Sequence, residues 1–125
     1  MKRNILFILL LAFWGNCFLN AQEVSFDENT YYRLTNAWMG EGRSLDVNPE
    51  DMTMMMAPSG KYSGQFWKIT AQGDGVFKLS CQWQGDGKVI DVINDGTNNR
   101  MALADNAGYS GQYWRIEDAG DGATV

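Results

Sequence analysis

The sequence has 125 residues, room for one ordinary domain. It carries 15 acidic against 10 basic side chains and no histidine, a net charge of −5. An acidic surface repels phosphate, which argues against nucleic acid and anionic membranes as partners. The missing histidine excludes His-dependent triads, Cys–His pairs and most zinc sites.

The chain opens with Lys2 and Arg3, followed by an apolar run from Ile5 to Phe13 and an Ala21–Gln22 junction. That layout predicts a secretory signal peptide over 1–21. The run is shorter than the roughly 20 apolar residues of a membrane span. Cys17 brings lipoprotein processing to mind, but Trp14, Gly15 and Asn16 before it do not form the small-residue box that processing prefers. The expectation is soluble export, to a secreted or periplasmic location, with Cys17 discarded. Residues 22–125 then hold 8 basic and 15 acidic side chains, a net −7. They retain a single cysteine, Cys81, so no intramolecular disulfide is expected.

The remaining chain repeats itself. Tyr32-Arg33-Leu34 recurs as Phe77-Lys78-Leu79, Trp38 as Trp83, and Arg43-Ser44-Leu45-Asp46-Val47 as Lys88-Val89-Ile90-Asp91-Val92, each 45 residues on. The spacing then grows to 47, where Tyr62-Ser63-Gly64-Gln65-Phe66-Trp67 recurs as Tyr109-Ser110-Gly111-Gln112-Tyr113-Trp114. Copy one spans 31–75 and copy two 76–122, with a two-residue insertion placed within Asn94 to Asn99.

Each copy predicts four short strands. They are Tyr31–Asn36, Ser44–Val47, Thr53–Ala57 and Gln65–Thr70 in copy one. Copy two has Val76–Cys81, Val89–Val92, Arg100–Ala104 and Gln112–Glu117. β-Branched and aromatic residues fill many of these positions, and Gly, Asn, Asp or Ser bound most of them. No helical period competes. A four-strand repeat of this length points to an all-β trefoil or a propeller blade.

The pairing of Leu45-Asp46-Val47 with Gln65-Phe66-Trp67, and of Ile90-Asp91-Val92 with Gln112-Tyr113-Trp114, resembles the ricin B-type lectin family. The resemblance covers about 31–122 and implies a β-trefoil of Gln-x-Trp repeats over 22–125. Two of the three copies a trefoil needs are present, so the expected fold is an incomplete trefoil. The expectation is a chain cut short of a third repeat, or one completed by partners. Three chains would supply six copies, enough for two trefoils.

The resemblance implies carbohydrate as the ligand, with Asp46 and Asp91 accepting hydrogen bonds from sugar hydroxyls. A carboxylate can accept from two vicinal hydroxyls at once. It also bonds local backbone at turns, the competing role for both residues. The family's third-strand aromatic is missing, since Met54-Met55-Met56-Ala57 and Met101-Ala102-Leu103-Ala104 stand there. Gly64 and Gly111 replace the usual Asn before the signature glutamine. Trp38, Trp83, Tyr62 and Tyr109 offer another stacking platform beside Gly-rich turns. Gln65, Trp67, Gln112 and Trp114 are expected to be structural, the Trp in the core and the Gln on backbone groups.

No catalytic motif is present, and the Gly-Asp-Gly triplets lack the further oxygen ligands of a calcium loop. The reading is a non-catalytic, lectin-like carbohydrate-binding module without cofactor or metal, possible front part of a larger polysaccharide-active protein. The alternative is a structural or protein-interaction trefoil without sugar affinity.

Overall fold

A computed structural model describes residues 24–120; the predicted signal peptide lies outside them. The chain divides into a compact unit of residues 25–116 and a second made of the flanking segments 1–24 and 117–125. In the second, residues 24 and 117–120 hold no helix or strand.

The compact unit is all-β. Its strands are β1 (Arg43–Val47), β2 (Met54–Pro58), β3 (Trp67–Gly73), β4 (Val76–Cys81), β5 (Lys88–Asn94), β6 (Asn99–Asp105) and β7 (Trp114–Arg115). Three 3-10 turns, Ser63–Gln65, Gly85–Gly87 and Ser110–Gln112, interrupt them. β1–β2 and β5–β6 are separate antiparallel hairpins, and β3, β4 and β7 form a three-stranded sheet in the order β3-β4-β7.

The two copies share one register. Asp46 faces Met55 and Val47 faces Met54 in the first hairpin. Asp91 faces Ala102 and Val92 faces Met101 in the second. The insertion adds two rungs beyond that point, Ile93↔Arg100 and Asn94↔Asn99, so it lengthens a hairpin without disturbing the register. β3 turns into β4 through Gly73-Asp74-Gly75, with φ of +103°, +56° and +74°. Glycine suits the two outer positions because it pays no Cβ clash in the left-handed region.

Alternation places the core. Trp67 and Ile69 on β3, and Phe77, Leu79 and Cys81 on β4, point inward with Val47, Ile90 and Leu103 from the hairpins. Phe26, which precedes the first repeat, joins them edge-on to Tyr32 and Phe77 at 5.4 and 5.3 Å between ring centres.

Two sets of predicted boundaries need correction. Residues 31–36 form no ladder; Tyr32 bridges Trp67 and Asn36 bridges Gly40. Their counterpart β4 pairs on both sides, with β3 and with β7. The fourth strands begin at Trp67 and Trp114 rather than at the glutamines, and the second is only two residues long. The glutamines close 3-10 turns because their amides bond inward, as described next.

Candidate functional site

The signature residues form one clasp in each copy. Gln65 donates from Nε2 to Asp46 Oδ2 (3.0 Å) and to the Pro58 carbonyl (2.9 Å), and its Oε1 accepts from Gly60 N–H (3.0 Å). Gln112 repeats each bond: to Asp91 Oδ2 (3.1 Å), to the Asp105 carbonyl (2.8 Å) and from Ala107 N–H (2.9 Å). Trp67 Nε1 donates to the Leu45 carbonyl and Trp114 Nε1 to that of Ile90, both at 3.0 Å. Each clasp ties the 3-10 turn to the strand carrying the aspartate and to the loop after the next strand.

This geometry places the predicted carboxylates. Asp46 is half-buried; Oδ1 accepts from Val47 N–H (2.7 Å) while Oδ2 holds Gln65. Asp91 is buried against Gln112. The two glycines before the glutamines follow from the same packing. A Cβ on Gly64 would lie 2.5 Å from Asp46 Oδ1, and one on Gly111 would collide with Asp91 Oδ1. Any side chain larger than glycine at either position would have to displace the aspartate.

The predicted aromatics lie outside. Trp38 is 89 % exposed and Trp83 41 %, while Tyr62 and Tyr109 are exposed beside their 3-10 turns. The backbone ties Trp83 to copy one: its main-chain N–H donates to the Ser63 carbonyl at 3.2 Å, one residue after Tyr62. Trp38 has its N–H on Asn36 Oδ1 (2.9 Å) within its own turn.

One feature escaped the sequence reading. Two polar clefts occupy matched places in the copies. The first, of about 540 Å³, is lined by Arg33, Thr35, Glu41 and Ser59. The second, of about 130 Å³, is lined by their counterparts Lys78, Ser80, Asp86 and Asn106, and is walled by Lys68, Thr70 and Gln72 of β3. Lys68 reaches Asp86 at 3.1 Å across it. Arg33 lies over the Phe66 ring (5.4 Å to its centre) and Lys78 over that of Tyr113 (4.9 Å). Arg33 also donates to Gln65 Oε1 at 2.6 Å, which joins cleft and clasp. The cation-for-cation match at 33 and 78 was the available signal.

No protein-family model matches this chain, and no curated protein matches it. Among solved structures the chain is similar to a designed 3-fold symmetric protein, ThreeFoil, at 22% identity and a TM-score of 0.53. The match covers 70% of this chain and 71% of that one, about two of its three symmetric parts. ThreeFoil is a β-trefoil, so the likeness and the repeated register together make this an all-β chain of trefoil repeats, two copies long.

Proposed function

We propose that this protein is an exported, non-catalytic carbohydrate-binding module. The observation that carries the reading is the exposure of matched aromatics in both copies: Trp38 with Trp83, and Tyr62 with Tyr109. A large aromatic left in water forgoes its burial energy, and a stacking role for the C–H face of a sugar gives that exposure a use. Asp46 and Asp91, through their clasps with Gln65 and Gln112, hold the 3-10 turn that follows each tyrosine. The reading of 1–21 as a cleaved leader supports a secreted or periplasmic location.

Glycan-array binding followed by calorimetry tests the reading. Trp38→Ala, Trp83→Ala, Tyr62→Ala and Tyr109→Ala should each weaken binding while the fold persists. A folded protein that binds no glycan would overturn it. N-terminal sequencing of the exported protein should begin at Gln22.

A second reading is a protein-interaction trefoil without sugar affinity. The bonded state of the carboxylates favours it, since Asp91 is buried and Gln112 already occupies Oδ2. Capture of a protein partner that free sugars do not displace would support this alternative.

A further inference from the structure

Strands β3 and β4 send Trp67, Ile69, Phe77 and Leu79 into the core and hold a polar face on the other side. Lys68 stands opposite Ser80 and Thr70 opposite Lys78 in their ladder, so these four side chains share that face. Two ammonium groups therefore sit on neighbouring strands, diagonal to each other, in a sequence of net charge −5. Both line the cleft of about 130 Å³.

Their partners differ. Lys68 is neutralised by Asp86 at 3.1 Å. Lys78 has no carboxylate partner among the described residues. It donates to Asn106 Oδ1 (2.6 Å) and to the Ala107 carbonyl (2.7 Å), and it lies over the Tyr113 ring. An ammonium has three hydrogens, and neutral acceptors take two of them. The charge is thus fixed in place without being cancelled. Copy one repeats the feature. Arg33 bonds to Ser44 Oγ, Gln65 Oε1 and the Gly60 carbonyl, all neutral, and lies over the Phe66 ring. A half-buried charge without a counter-charge costs stability. A sequence with 15 acidic side chains nevertheless leaves this matched pair of cations without one. An anion from outside gives the arrangement a use.

The rest of the lining narrows the anion. Ser80 is buried, and its bond to Asp86 Oδ1 is 3.5 Å long, at the limit of a hydrogen bond. Val89 is buried beside it and apolar. Thr70 is half-buried and Gln72 exposed, which puts a hydroxyl and an amide toward the mouth. A space of about 130 Å³ equals roughly four liquid waters. That is room for a carboxylate and the first atoms of its carrier.

We propose that this cleft is a subsite for the carboxylate of an acidic sugar, held by Lys78 and Lys68 with ring hydroxyls at Thr70 and Gln72. Neither aspartate of the clasps lines it, nor does any of the four exposed aromatics. The sugar as carrier rests on the proposed carbohydrate function; the anion site does not.

Amide-detected NMR titration of the purified protein tests it, with glucuronate as probe, glucose as its neutral counterpart and inorganic sulfate as a bare anion. Glucuronate should shift the signals of Lys78, Ser80 and Asn106, glucose should not, and added salt should weaken the effect. Lys78→Gln should weaken glucuronate binding about tenfold, the loss expected with a charge-assisted bond. Lys78→Arg, which places the copy-one cation there, should retain it. Asp86→Asn should tighten binding about threefold, because it removes the one repelling charge. Opposite signs at 78 and 86 are the signature, since a purely structural role would weaken both variants or neither. No shift with glucuronate, an equal shift with glucose, or the same sign at both positions overturns the site. Sulfate bound as tightly as glucuronate overturns the sugar as carrier. Neutral glycans bound to the wild type, with glucuronate causing no shift, overturn this inference and leave the proposed function standing.

Discussion

Asp91 and Gln112, 21 residues apart, meet in the interior through a bond of 3.1 Å from the amide to the carboxylate. Removing the amide leaves Asp91, Ala107 N–H and the Asp105 carbonyl without their partner. Gln112→Ala should therefore cost about 2–3 kcal/mol, the usual penalty for orphaned buried polar groups. Gln65→Ala should cost at least as much, because Arg33 also loses its acceptor. Urea denaturation of both variants checks this, and a loss below about 0.5 kcal/mol would show the clasp to be dispensable.

The glycine beside each glutamine gives a paired test. Gly111→Ala drives a methyl into Asp91 and should destabilise by about 1–3 kcal/mol, as overpacking does. Gly42→Ala meets nothing within 4 Å. It should be neutral or slightly stabilising, because alanine restricts the unfolded chain. Equal effects at the two sites would contradict the close approach at Gly111.

Trp38 separates binding from stability. Its ring contributes little to folding, so Trp38→Ala should change unfolding free energy by no more than about 0.5 kcal/mol. Under the proposed function the same variant loses glycan affinity. A large fall in melting temperature would mean that the ring packs against something in solution.

Three aspartates predict the acid limb of stability. The Thr53 hydroxyl and N–H lower the pKa of Asp51, the N–H groups of Asn98 and Thr97 lower that of Asp95, and the Lys88 ammonium lowers that of Asp105, all from an ordinary value of 3.8. Since the folded pKa lies below the unfolded one, the unfolded chain binds protons first as pH falls. The stabilisation is complete above the ordinary value and disappears as pH drops through the folded values. Melting temperature should be level above about pH 5 and decline below about pH 4. Lys88→Ala should soften the decline, and an unchanged melting temperature at about pH 2.5 would refute the assignment.

Cys81 gives a clock for opening. Burial pushes its thiol pKa up, against weaker opposing bonds from Gln84 and Trp83 N–H. Thiol reagents attack the thiolate, so labelling in the native protein should be at least about 100-fold slower than in urea. Fast native labelling would place Cys81 at the surface.

The repeat and the trefoil class were legible because matched residues recur at fixed spacing, and side-chain alternation turns that spacing into a sheet face. The ends of the fourth strands were not. Gln65 and Gln112 look like strand residues by position, but a local pattern does not show that their amides must reach back across 19 and 21 residues to an aspartate. The pairing of Trp83 with Ser63 was hidden for a similar reason: an alignment of copies reveals equivalence, while this contact joins one copy to the next. Val47 and Val92 are likewise indistinguishable in sequence and differ only in what lies beside them.

The clasp bonds have one more consequence, which concerns the order of folding. Each lies within a single copy, and the longest, from Trp114 to Ile90, spans 24 residues. Closing so short a loop is entropically cheap, and structures rich in local contacts fold fast. Either repeat can therefore close its polar wiring without waiting for contacts from another.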